Sequence, residues 1–190
     1  MPTTHTNPLQ QLMVEELRDL YHAEKQLTKA LPKLARKVSS PELRELLETH
    51  LDETEQQIGR LEVAFEKLGE RPRGKHCDGM AGIVEEGNAL LQEDFDDAVL
   101  DAGIIAGAQR AEHYEIAAYG SVMAWAKVLG HRDIAALLDE TLEEEKAADK
   151  KLSVLAERTI NRQASNGGNG SATAERTERS SRQSGAPTRR

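Results

Sequence analysis

Five glutamates in this 190-residue chain are the residues whose type and spacing could do chemistry. Glu24 interrupts the row Met13, Leu17, Leu20, Glu24, Leu27, Leu31, Leu34, Val38. Glu112 interrupts Ala98, Ala102, Ile105, Gln109, Glu112, Ile116, Tyr119, Met123, Ala126, and Glu115 lies one turn on. Steps of three and four residues put each row on one helical face. A carboxylate on such a face is costly unless charge or hydrogen bonds meet it. Two divalent cations would do so. Carboxylate-rich sites with some imidazole suit iron and manganese, and a bridged pair of such ions permits two-electron chemistry on hydrogen peroxide or dioxygen.

An internal repeat extends the set. Tyr21-His22-Ala23-Glu24 aligns with Gln109-Arg110-Ala111-Glu112, and Leu46 to Glu53 aligns with Leu137 to Glu144. The expected metal ligands are therefore Glu24, Glu53, Glu112, Glu115 and Glu144. On the last of the four helices the apolar stripe passes nearer Glu145, and the repeat decides for Glu144. Di-metal bundles commonly carry a His three residues after a Glu on two helices. Here those positions hold Gln56 and Ala147. His50, three residues before Glu53, or Gln56 would complete one side; Asp149 or water would substitute on the other. Tyr21, one turn before Glu24, is a candidate hydrogen-bond donor over the site, with core packing as the plainer alternative.

The elements that must position these groups are helices. Asn7-Pro8 and Ser39-Ser40-Pro41 each pair a capping residue with proline at the first helical position. They open a first helix running to about Val38 and a second ending at Gly69, joined by a turn so short that the two lie antiparallel. Glycines interrupt residues 70–93, although Met80, Ile83, Val84, Leu90 and Leu91 allow a short helix there. A long helix then runs from about Asp94 to Leu129, and another from near Arg132 to about Ile160. Two hairpins joined by a long crossover make an all-α four-helix bundle.

Composition narrows the rest. The net charge is −8, and the six Arg against two Glu after residue 160 leave −12 on the body, which disfavours nucleic-acid binding by that body. Residues 1–7 read as a flexible arm, 8–160 as the bundle, and 161–190 as a disordered Arg/Ser/Gly-rich tail, solubilising or weakly binding an anionic partner. The single cysteine, Cys77, permits no internal disulfide. No signal peptide or membrane span is evident, so a soluble, cytoplasmic protein is expected.

The stretches Leu17 to Leu27, Glu112 to Gly120 and Glu140 to Asp149 resemble the YciE/YciF family of ferritin-like, rubrerythrin-related bacterial stress proteins. The resemblance covers about residues 8–160. It implies a ferritin-like bundle, a homodimer and a di-iron or di-manganese centre, iron being favoured. In that comparison Glu112 and Glu115 match the paired carboxylates of the third helix, and Glu24, Glu53 and Glu144 the single ones. The rubrerythrin histidines and its iron–cysteine module have no match. The implied roles are peroxide consumption or Fe(II) oxidation; the alternative is a non-enzymatic metal-buffering or interaction scaffold.

Overall fold

Proline and short polar caps set where the first two helices begin. In the computed structural model, which describes residues 7–166, α1 (Pro8–Ala35) starts with the Asn7 side chain accepting from the Leu9 amide at 2.9 Å. α2 (Pro41–Lys67) starts with Ser40 Oγ accepting from the Leu43 amide at 3.2 Å. Each cap satisfies an amide that the first turn leaves without a partner. α2 ends where Gly69 takes φ +68°, a left-handed value that glycine adopts without strain.

The crossover carries α3 (Asp78–Leu90), whose first turn is capped by the Cys77 sulfur. α4 (Asp97–Val128) and α5 (Arg132–Leu155) form the second hairpin, turned at Gly130 with φ +84°. One π-helical turn, Ala156–Ile160, follows, and helix continues over residues 161–166. The helix thus runs past the boundary expected at 160. Residues 1–6 of the expected arm and 167–190 of the expected tail lie outside the described residues.

α1 packs on α2 and α4 on α5; across the two hairpins α1 meets α4 and α2 meets α5. Each neighbouring pair in this square runs antiparallel, so α2 and α4 point the same way and their connection must travel the length of the bundle. α3 uses that connection to cover α1 and α4. The crossover is pinned to α1: Lys75 N donates to Arg18 O, Cys77 N to His22 Nδ1, and Gln26 Nε2 to Cys77 O. This is the ferritin-like four-helix bundle that the sequence predicts, with the short extra helix in its long crossover.

The apolar interior comes in two clusters. One gathers Met13, Leu17, Leu20, Leu61, Phe65, Val122, Ile134 and Leu138. The other gathers Leu27, Leu31, Leu43, Leu47, Ile104, Ile105, Leu152, Leu155 and Ile160. Along every one of the four long helices, the residues between the two clusters include buried polar ones: Glu24, then His50, Thr54 and Gln57, then Glu112 and Glu115, then Thr141 and Glu145. The core is cut by a polar layer at mid-height.

Candidate metal centre

Four carboxylates meet in that layer. Glu24, Glu115 and Glu145 are 0% exposed and Glu112 is 2% exposed. One ligand-type atom each from His50, Glu112, Glu115 and Glu145 falls within 4.8 Å of the others. Glu24 joins from α1, close enough for its charge to raise the Glu115 carboxyl. Glu145 likewise raises the Glu112 carboxyl. Among the described residues His50 is the only imidazole in this group: its Nε2 lies 3.5 Å from Glu112 Oε1 and 3.9 Å from Glu145 Oε2.

Electrostatics make the group untenable as a set of bare anions. Burial comes first in raising the carboxyls of Glu24, Glu112 and Glu115 well above the ordinary range. Neighbouring carboxylates add to it: Glu145 for Glu24 and Glu112, and Glu24 then Glu145 for Glu115. No lysine or arginine pairs with these four carboxylates among the described residues. Five of their oxygens are buried without a hydrogen-bond partner: Glu24 Oε2, Glu112 Oε2, both of Glu115, and Glu145 Oε2. Buried polar atoms are ordinarily paired. Four carboxylates, five of whose oxygens are free, and one imidazole are a donor set that fits hard to borderline divalent cations. Two such ions would balance four negative charges.

Neighbouring side chains hold the group in shape. Tyr119, fully buried on α4, donates its hydroxyl to Glu24 Oε1. Gln57, fully buried on α2, donates from Nε2 to Glu145 and, at 3.1 Å, to Glu144. His50 Nδ1 lies 3.4 Å from Glu53 Oε2, which fixes the ring with Nε2 turned inward.

The sequence-derived candidates fare differently one by one. Glu24, Glu112 and Glu115 lie in the layer, and so does His50. Glu144 does not: it points to Arg60, whose guanidinium reaches its two oxygens at 2.6 and 2.7 Å, and Glu145 takes the inward position. Glu53 stops short too. It is half-buried, between His50 and Lys151 Nζ at 3.9 Å, and hydrogen bonding to His50 holds its carboxyl below the ordinary range. Gln56 is exposed; Gln57 is the inward amide. Tyr21 sits in an apolar cluster, donating to Glu62 at 2.6 Å and accepting from Lys25, so the tyrosine over the site is Tyr119. Asp149 is held by Gln109 at 2.8 Å, outside the inward group, although its charge is felt by Glu112.

A single turn of geometry explains the misplaced ones. The repeat does align Glu53 with Glu144, and both lie one residue, about 100°, off the inward face. The inward counterparts are Thr54 and Glu145. The signal lies in the sequence itself: Ile134, Leu138, Thr141, Glu145, Ala148, Leu152 and Leu155 form one buried stripe at steps of three and four.

Residues 8–165 match a family described as a domain of unknown function, DUF892. Protein YciF of Escherichia coli (strain K12) is 43% identical over 159 residues, which is 83% of this chain and 96% of that protein. The crystal structure of that E. coli stress protein superposes with a TM-score of 0.78, covering 82% of this chain and 99% of that one. YcfI of Rhodopseudomonas palustris, put forward by name as a structural protein, superposes with a TM-score of 0.76 at 44% identity, covering 80% of this chain and 98% of that one. A Xanthomonas campestris protein at 24% identity, TM-score 0.61, shares the fold. No described helix is long and apolar enough to cross a membrane.

Proposed function

The chain belongs to the DUF892 family and is a relative of the stress protein YciF, and from that premise we propose that it is a metal-dependent stress protein with a two-metal centre in its polar layer. One observation carries the reading: five buried carboxylate oxygens converge with no hydrogen-bond donor or cationic side chain among the described residues other than His50. Glu24, Glu112, Glu115, Glu145 and Nε2 of His50 would hold the ions. Iron, or failing that manganese, would supply one-electron steps and open positions for hydrogen peroxide, for dioxygen, or for Fe(II) as a substrate.

The chain's own residues do the positioning. Tyr119 occupies one oxygen of Glu24 and leaves the other free. Gln57 does the same for Glu145. Supporting hydrogen bonds of this kind orient ligands and tune the metal. The apolar clusters on either side keep bulk water away, which strengthens each electrostatic contact inside. Glu53 and Lys151 give the layer its polar edge, beside His50.

The test is metal analysis of purified protein reconstituted with Fe(II) or Mn(II), then assays of peroxide consumption and Fe(II) oxidation. Two ions per chain are expected, with loss of both metal and turnover in Glu112→Ala. A protein that takes up neither metal ends the proposal. A second reading, metal buffering or scaffolding without turnover, draws on the lone imidazole and on the name given to the Rhodopseudomonas relative. It predicts full metal loading with no consumption of peroxide or oxidation of Fe(II). Sedimentation at micromolar concentration tests the homodimer that membership suggests.

A further inference from the structure

A cleft between α1, α3 and α4 ends on the carboxylate layer. Its walls are apolar: Leu27, Leu31, Ile83, Val84, Ile104 and Ala108. Its inner end is His50 and Glu112, the latter 2% exposed with one oxygen unpartnered. Two glycines line it inside helices, Gly87 on α3 and Gly107 on α4. A Cβ at either would meet nothing within 4 Å. Of the other glycines on this helix pair, two mark contact: a Cβ at Gly79 would lie 2.6 Å from Tyr114, and one at Gly103 2.9 Å from Leu90; Gly82 and Gly120 also face open space but do not line the cleft. Glycine is a poor helix former, and packing accounts for Gly79 and Gly103. At Gly87 and Gly107 the missing side chain leaves space open.

That space is about 40 Å³. One water needs roughly 10–15 Å³ of such space, so the occupant has only a few heavy atoms. The walls offer it almost no hydrogen bonds, and a polar molecule entering would forfeit those it makes with water. On the far side of His50, between α2 and α5, a second, smaller opening sets Thr49, Glu53 and Lys151 beside Leu46, Leu47 and Leu152, so a polar molecule meets hydrogen-bonding groups there.

We propose that the α1–α3–α4 cleft is the entry and holding site for a small apolar molecule, dioxygen, which it delivers to the His50–Glu112 side of the layer. The choice of dioxygen within that class rests on the redox reading given above; the existence of the site does not. Gly87 and Gly107 keep the passage open, and a side chain at either closes it.

Xenon is the first probe, since it enters apolar cavities of this size and reports by anomalous scattering. Crystals of the full chain, with the metal it carries, are pressurised with xenon. A peak among Leu31, Val84 and Ile104 is expected, and its loss in Gly107→Leu and in Gly87→Leu, with metal content unchanged. The second measurement uses zinc-loaded, redox-silent protein. Dissolved dioxygen is paramagnetic, so it should broaden the methyl signals of Leu31, Val84 and Ile104 selectively, and no longer do so in Gly107→Leu. No xenon in the cleft, or a second copy of the chain seated over it, overturns the proposal. So does broadening that persists with Gly107→Leu. Xenon bound in a chain that takes up no metal would leave the site standing and remove the two-metal reading instead.

Discussion

At the scale of single residues, the pair Glu144 and Glu145 separates structure from chemistry. Glu145→Gln should lower iron or manganese affinity at least tenfold, read by metal titration, because it removes a charge from the buried set. Glu144→Gln should leave that affinity within about twofold and cost about 1 kcal/mol in urea unfolding, through the contact with Arg60. Equal effects on metal would refute the assignment of Glu145 as the inward group. The carboxyls also predict an unusual pH dependence. Burial, then neighbouring charge, raises Glu24, Glu112 and Glu115 above the ordinary 4.5. Above 4.5 the folded, metal-free chain therefore holds more protons than the unfolded one. Its stability is greatest below that value and is lost as pH climbs through the raised values, by up to about 1.4 kcal/mol per unit for each group. The Tm of metal-free protein should fall as pH rises above the ordinary carboxylate value of 4.5, and bound metal should remove the slope. A Tm that rises over that range would show that these carboxyls ionise freely. The residues that sequence reasoning misplaced have a shared cause. On α2 the inward positions at mid-height are His50, Thr54 and Gln57, all polar. Hydrophobic periodicity, which sets a helix's register, fades there, so Glu53 and Gln56 fell one position from the inward residue; on α5 the stripe held, and the repeat alignment with Glu53 carried the same offset to Glu144.

At the scale of elements, the sequence was far more readable. Cap-proline pairs marked the starts of α1 and α2, glycines marked the turns, and the repeat announced two hairpins. What it hid were contacts between elements distant in sequence. Asp101, 1% exposed on α4, accepts from the Ser39 and Ser40 amides, both at 2.9 Å, and from Ser39 Oγ at 2.7 Å. It ties the α1–α2 turn to the start of the second hairpin. Nothing local distinguishes it from the acidic residues around it, since its partners are some sixty residues away. Asp101→Ala strands those donors, at about 1–3 kcal/mol for each group left buried and unpaired. A total loss of about 3 kcal/mol in urea unfolding is expected, whereas the exposed Asp97→Ala should change little. A loss below 1 kcal/mol would mean that water replaces the carboxylate.

At the scale of the whole molecule, the polar layer decides what ligands do to stability. Metal bound to the folded chain alone stabilises it by mass action, about 2.7 kcal/mol at a hundred times the dissociation constant. For a chain of this size that is a rise of roughly 5–10 °C in Tm. Thermal scans with and without excess Mn(II) measure it, and a shift under 2 °C would argue against a buried site. The division of the interior has one more consequence. The two oily compartments share four long rods but are separated by a layer of carboxyl groups with unpartnered oxygens, so little side-chain packing fastens one end to the other. Without cations, amide hydrogens around Phe65 and around Leu155 should exchange with different opening energies, each end breathing alone. Cations added at the waist should merge them into one cooperative unit.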